Sequence, residues 1–204
     1  MEEQAIALRE LAGQIAVCPR CDLSKTRTHA VPGEGSPNAD IVFIGEGPGF
    51  YEDQQARPFV GPAGKFLDEL LASIGLRREN VYICNVIKCR PPNNRDPLPG
   101  EISACKPWLD RQLEIIKPRL IVTLGRFSMN RYFPGQSIGR IRGQAKRVDD
   151  VTVVPLYHPA AALHQASLRR TIEQDFLKLP AILAEALKKN DQPREPEPVQ
   201  MQLL

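Results

Sequence analysis

Four of the five cysteines in this 204-residue chain are spaced as ligands would be. Cys18 and Cys21 form a Cys-x-x-Cys pair, and Cys89 and Cys105 lie far downstream with fifteen residues between them. Two neighbouring thiolates clamp one face of a metal and distant ones complete the site, so the candidates are zinc on four thiolates or a [4Fe–4S] cluster. Neither a histidine pairing nor the second Cys-x-x-Cys of a zinc ribbon is present, which favours the cluster. Unrelated buried thiols are the plainer alternative. Cys84, inside the apolar run VYICNVI, reads instead as a core residue.

Two loops carry further chemistry. The run IVFIG enters Gly45-Glu46-Gly47-Pro48-Gly49. A dinucleotide fingerprint needs Gly-x-Gly-x-x-Gly running straight into a helix, and here Phe50 and Pro48 break that pattern. What remains is close backbone approach to a ligand, free amides and the carboxylate of Glu46. Phe59, within Arg57-Pro58-Phe59-Val60-Gly61, is either a platform for a planar ligand or a plug beneath the loop. A second loop follows VTVVPLY, where His158-Pro159 places an imidazole at a strand terminus; a catalytic and a helix-capping histidine fit equally there. His29 and His164 have no comparable context, and neither is assigned a role.

The net charge of +3 is too small to name a partner, but its distribution is uneven. No acid occurs between Arg126 and Val148, while Arg126, Arg131, Arg140, Arg142, Lys146 and Arg147 are basic. Lys88, Arg90 and Arg95 form a second basic group. Such surface neutralises phosphates, or is an ordinary solvated face.

The elements that must position these groups follow from apolar spacing. Residues 2–16 read as a helix, followed by a loop to Ala39. Short branched runs at Ile41–Ile44, Val81–Ile87, Leu120–Leu124 and Val151–Leu156 predict buried strands. Helical spacing recurs over Gly64–Ile74, Glu101–Ile116 and about Leu168–Lys188. Strands alternating with helices predict an α/β fold: three layers, αβα, around a central, mostly parallel four-stranded sheet. Ligands then bind at the carboxyl ends of the strands. One domain over 1–188 is expected, with a flexible Pro-rich tail over 189–204.

Composition excludes other classes. With 42% hydrophobic and 25% charged residues the chain is globular rather than disordered. No segment nears the roughly 18 consecutive apolar residues of a membrane helix, and the acidic N-terminus lacks signal-peptide features. A bacterial or archaeal cytosol is the expected setting, with cysteines used for metal or redox chemistry.

Together these residues resemble the family 4 uracil-DNA glycosylases, the iron–sulfur branch of their superfamily. The resemblance spans about Cys18 to Leu179 and rests on Cys18-x-x-Cys21, Gly45–Gly49, Arg57–Gly61, Asn85-Val86-Ile87-Lys88-Cys89-Arg90-Pro91-Pro92, Cys105 and His158-Pro159, in that order. It implies a [4Fe–4S] cluster on Cys18, Cys21, Cys89 and Cys105, and uracil-containing DNA as the partner. It implies excision of a flipped-out base by hydrolysis of its N-glycosidic bond, leaving an abasic site for base excision repair. Phe59 matches the aromatic that stacks on the base, and Asn85 the residue that reads its edge. His158 matches the donor to uracil O2; Glu46 and Gly47 belong to the first motif, whose loop amides add to that donor. Glu52 falls on a pocket position that limits access for thymine's methyl group. Leu163 is the candidate wedge that fills the gap left by the flipped base.

Departures matter as well. Family 1 enzymes carry Gln-Asp in the first motif, with the Asp activating water; here Glu46-Gly47 stands there. Either Glu46 takes over part of that task or water adds late to an almost formed cation. The basic, His-containing insertion of a covalent-trapping branch is missing after Lys88-Cys89, so turnover is expected. Gln200-Met201-Gln202-Leu203-Leu204 resembles peptides that grip the bacterial sliding clamp, or is an ordinary terminus. Nothing demands more than a monomer. A silent uracil or damage sensor, a redox iron–sulfur protein and a zinc-stabilised DNA-binding module are the competing readings.

Overall fold

Branched apolar runs flanked by helices build the centre of this protein. The computed structural model describes residues 2–190. Helix α1 (Glu2–Ala16) leads through the cysteine loop to strands β1 (Glu34–Gly35) and β2 (Ile41–Gly45). Helices α2 (Phe50–Gln55) and α3 (Pro62–Ser73) precede β3 (Tyr82–Asn85), and α4 (Pro99–Ile116) precedes β4 (Leu120–Leu124). Two short helices, α5 (Arg126–Asn130) and α6 (Ile138–Ile141), then lead to β5 (Lys146–Val148) and β6 (Val151–Leu156). Helices α7 (Ala160–His164), α8 (Ser167–Phe176) and α9 (Leu179–Asn190) follow.

The sheet order is β1-β3-β2-β4-β6-β5, with the inner four strands parallel and each edge strand antiparallel to its neighbour. Every residue of β2, β3 and β4 is buried. Side chains alternate between two apolar layers. Val42 and Ile44 face Leu11, Ile15, Trp108 and Leu109 of α1 and α4. Ile41 and Phe43 face Leu67, Leu70, Leu71 and Phe176 of α3 and α8, where the Phe43 and Phe176 rings stack 5.8 Å apart. This is the expected three-layer fold.

Three local expectations are corrected. The sheet has six strands, not four, because β1 and β5 are short, exposed or half-buried segments without an apolar pattern to announce them. The strand expected over 81–87 is only Tyr82–Asn85, since Val86 and Ile87 leave β3 to donate to the carbonyls of Gly45 and Glu46. The single helix expected over 168–188 is two, α8 and α9, broken before Pro180, which lacks the amide a continuous helix would need. Beyond Asn190 the Pro-rich stretch, with Gln200–Leu204, lies outside the described residues. No described helix is long and apolar enough to cross a membrane.

The chain passes from β2 outward to β3, then returns past β2 to β4, so strand order reverses at the β2–β4 pair. A crevice opens at the carboxyl ends of strands around such a reversal.

Candidate active site

That crevice is a cavity of about 620 Å³, walled by the loop after β2, the Phe59 loop, the end of β3 and the start of α7. Glu46, Gly47, Glu52, Phe59, Asn85 and His158, far apart in sequence, all line it.

Phe59 adopts a left-handed backbone conformation, φ 53°, and is 4% exposed. Such a conformation is unfavourable for an aromatic residue and persists only where its surroundings enforce it. Gly64 packs so closely beneath the Phe59 carbonyl that a Cβ there would overlap it. Arg78 donates to the carbonyls of Pro58 and Phe59 while paired with Glu34 at 2.5 Å and Asp68 at 2.6 Å. Glu52 secures the other flank: one carboxylate oxygen accepts from the Val60 and Gly61 amides, both at 2.9 Å, and the second accepts from Gly49 at 3.2 Å. Glu52 therefore lines the cavity as a brace between two loops, with both oxygens engaged.

Asn85 ends β3 with only 2% exposure, and its Oδ1 has no hydrogen-bond partner among the described residues. A buried carbonyl oxygen left unpaired costs about 1–3 kcal/mol, so this atom is held ready for a donor from outside the fold. Gly45 makes the arrangement possible. A Cβ at Gly45 would overlap Asn85 Oδ1 and come within 2.7 Å of the Phe59 ring. Gly45→Ala is accordingly expected to abolish most activity while leaving helical content intact, as circular dichroism beside a turnover assay would report.

His158 follows β6, its ring stacked on Phe59 with centroids 5.3 Å apart and planes 23° from parallel. The Ala160 amide donates to His158 Nδ1 at 3.1 Å. Nδ1 is thus an acceptor, which puts the proton of the neutral ring on Nε2. Burial pulls the imidazole down to about 4, against a weaker opposing pull from the Glu52 carboxylate. Neutral His158 is the form present near pH 7.

Glu46 is half-buried, and its carboxylate makes no side-chain hydrogen bond with the described residues. Burial raises its pKa, neighbouring Asp96 adds to the rise, and Arg126 opposes it. On the rim, His164 also lines the cavity, as do Asn94, Arg95 and Asp96; none of these was singled out as a pocket residue by sequence. Leu163, half exposed on α7, stands between the lining residues Ala161 and His164.

The basic groups are less available than their sequence suggests. Lys88 is 1% exposed, and its ammonium donates to the Asn85 carbonyl at 2.8 Å and Gln112 Oε1 at 2.6 Å. It is an internal tie, not a surface cation. Arg95 pairs with Glu101, Arg126 with Asp96, Arg131 with Asp110 and Arg142 with Asp175. Acids from elsewhere in the chain thus neutralise much of the acid-free stretch.

Cys18, Cys21, Cys89 and Cys105 line one small recess between the cysteine loop and α4. Among the described residues no three His, Cys, Asp or Glu side chains converge as ligands of a single ion. Three sulfurs nonetheless accept hydrogen bonds: Cys89 from Arg27 at 3.0 Å, Cys18 from the Trp108 indole at 3.2 Å and Cys105 from the Lys88 amide at 3.2 Å. Thiols are weak acceptors, whereas thiolates bound to metal are strong ones, so this donor set suits anionic sulfur. Cys84 is fully buried in the core and stands apart, as expected.

The pattern of the uracil DNA glycosylase superfamily matches residues 32–180. A type-4 uracil-DNA glycosylase from Archaeoglobus fulgidus is 50% identical over 182 residues, covering 85% of this chain and 92% of that protein. One from Sulfurisphaera tokodaii is 48% identical over 183 residues, covering 85% and 83%. The Thermotoga maritima enzyme of the same type is 45% identical over 170 residues, covering 81% and 88%. A family match over residues 32–180 and identities of this extent over most of the chain show that it belongs to the type-4 branch of the uracil-DNA glycosylase superfamily.

Proposed function

We propose that this protein removes uracil from DNA by hydrolysing the N-glycosidic bond of a flipped-out deoxyuridine, leaving an abasic site for base excision repair. The observation that carries the reading is the buried, unpartnered Oδ1 of Asn85 in a cavity walled by Phe59 and His158. Extrusion of the base costs a few kcal/mol and is easiest at a mismatched or unpaired position. Once extruded, uracil lies against the Phe59 wall with its edge toward Asn85. The Asn85 carboxamide accepts from N3–H through Oδ1 and donates to O4. Cytosine reverses both polarities and leaves those groups unpaired, at about 1–3 kcal/mol each.

Bond cleavage gathers negative charge on uracil O2 while the sugar becomes an oxocarbenium ion. Neutral His158 donates from Nε2 to O2, a contact that strengthens as charge develops. Glu46 orients the attacking water and offsets the sugar's positive charge; glycine at position 47 leaves no other carboxylate in the first motif for that task. Glu52 acts by holding the Gly49 and Phe59 loops together, which fixes the width of the pocket where thymine carries its methyl group. Leu163, half exposed on α7, fills the gap in the base stack in this reading.

The four cysteines lining one recess, three of them accepting hydrogen bonds at sulfur, have the chemistry to hold a [4Fe–4S] cluster on Cys18, Cys21, Cys89 and Cys105. When bound, the cluster supplies a covalent crosslink between the N-terminal loop, the segment after β3 and helix α4. Equal amounts of iron and acid-labile sulfide in anaerobically purified protein, with visible absorbance that zinc does not give, are the expected finding; colourless protein carrying zinc would contradict it. Grouping of Glu46, Asn85 and His158 around one cavity disfavours a catalytically silent sensor.

A labelled oligonucleotide with a single uracil tests the main reading. Alkali-labile breaks at uracil, and none at thymine or cytosine controls, are expected from the iron-loaded protein. Intact uracil oligonucleotide would sink it.

A further inference from the structure

The rim of the cavity carries aromatic surface that bond cleavage does not use. Phe50 and Tyr51 open α2 between two lining residues, Gly49 and Glu52. They remain 50% and 53% exposed, with their rings edge to face and centroids 5.6 Å apart. The Tyr51 ring lies close to the Gly61 backbone, where an added Cβ would come within 3.2 Å of it. Arg90 holds its guanidinium 5.1 Å from the Phe50 ring centre. Its Nε donates at 2.7 Å to Asn94, another lining residue. Two half-exposed aromatic rings and a cation therefore stand together next to the cavity-lining residues Gly49, Glu52 and Asn94.

Arg90 lies over one face of Phe50, so a base stacks on the remaining ring surface of Phe50 and Tyr51 while the guanidinium supplies charge for the phosphate backbone; single-stranded nucleic acid is bound by such pairings of aromatic surface and cation. Continuity with the base pocket and the positive charge of Arg90 identify the occupant as nucleic acid. We propose that Phe50, Tyr51 and Arg90 form a stacking subsite for a nucleobase adjoining the flipped deoxyuridine in single-stranded DNA. The proposal rests on the uracil-excision reading above. Neighbouring bases in a duplex are held in their own stack and by their partners. In a single strand they are free, so the subsite favours uracil in unpaired DNA.

The test uses full-length, iron-loaded protein and an oligonucleotide containing non-hydrolysable 2′-fluoro-deoxyuridine, with fluorescent 2-aminopurine on its 5′ or 3′ side. Binding to the wild-type protein should quench the fluorophore on one of the two sides. Phe50→Ala and Tyr51→Ala should each weaken single-strand binding about tenfold, relieve the quenching, and weaken duplex binding far less. Phe50→Trp should restore both signals. Leu177→Ala, which removes an exposed side chain that lines no part of the cavity, serves as the neutral control. Wild-type quenching and affinity in both alanine variants would overturn the proposal, as would equal losses on single strand and duplex. These outcomes are separable from failure of the parent reading, in which the wild-type protein would not cleave uracil DNA at all.

Discussion

Replacing His158 with alanine is expected to slow uracil release about 100- to 1,000-fold, the usual loss when one preorganised donor to a developing oxyanion is removed. The effect should fall on kcat, because the Nε2–H contact strengthens only as charge moves onto O2. The pH dependence gives a second check. Burial holds His158 near 4, so it stays neutral through the range in which an ordinary histidine titrates, and no step should occur near pH 6.5. Glu46 behaves differently. Its pKa lies above the usual carboxylate value, and only the ionised form orients water or offsets the cation. Activity should therefore fall as pH drops through that raised value, and Glu46→Gln should remove this acid limb along with most of the rate. A limb that persists in Glu46→Gln, or a step near pH 6.5 that disappears in His158→Ala, would reverse the assignments.

Changing Asn85 to aspartate should alter which base is accepted. A carboxylate still accepts from N3–H, but it presents an acceptor to uracil O4 where the amide presented a donor. One buried polar contact becomes repulsive, and kcat/KM for uracil should fall about 10- to 100-fold. Cytosine carries an amino group at that position and gains the contact uracil lost. The ratio of uracil to cytosine cleavage should collapse well beyond the fall in uracil activity alone. Matched single-base oligonucleotides measure both rates, and an unchanged ratio would show that Asn85 does not read the base.

Legibility of the sequence followed burial. Runs such as LIVTL and VTVVPL are apolar because both faces of the sheet are covered, and β4 and β6 coincide with them residue for residue. Residues 34–35 and 146–148 lie on the edges, where no alternation is required, and left no trace. The site showed the same division. Glu46, Asn85 and His158 sit at strand ends, so their placement around one cavity followed once the strands were located. Lys88 misled because a lysine in a polar loop reads as exposed, and only the fold reveals Gln112 and the Asn85 carbonyl around its ammonium. The bracing role of Glu52 depends on amides eight and nine residues away, which no spacing rule predicts. Nor does composition foretell a left-handed Phe59, since that conformation is imposed by Gly64 and Arg78 from other elements.

The two margins of the sheet carry a consequence for behaviour at high concentration. An uncovered strand edge offers a row of free amides and carbonyls to which a second molecule can add, the first step toward insoluble aggregates. One margin here, β1, is two residues long and ends at Gly35; the other, β5, is three residues long and carries exposed Lys146 and Arg147. Each runs against the grain of the parallel strands it borders and is too short to template a growing ladder, and on β5 like charges would meet across any added copy. A long, sticky parallel sheet is thereby finished at both sides with hems that resist fraying into its neighbours, which suits a protein that must stay dispersed while it searches long stretches of undamaged DNA.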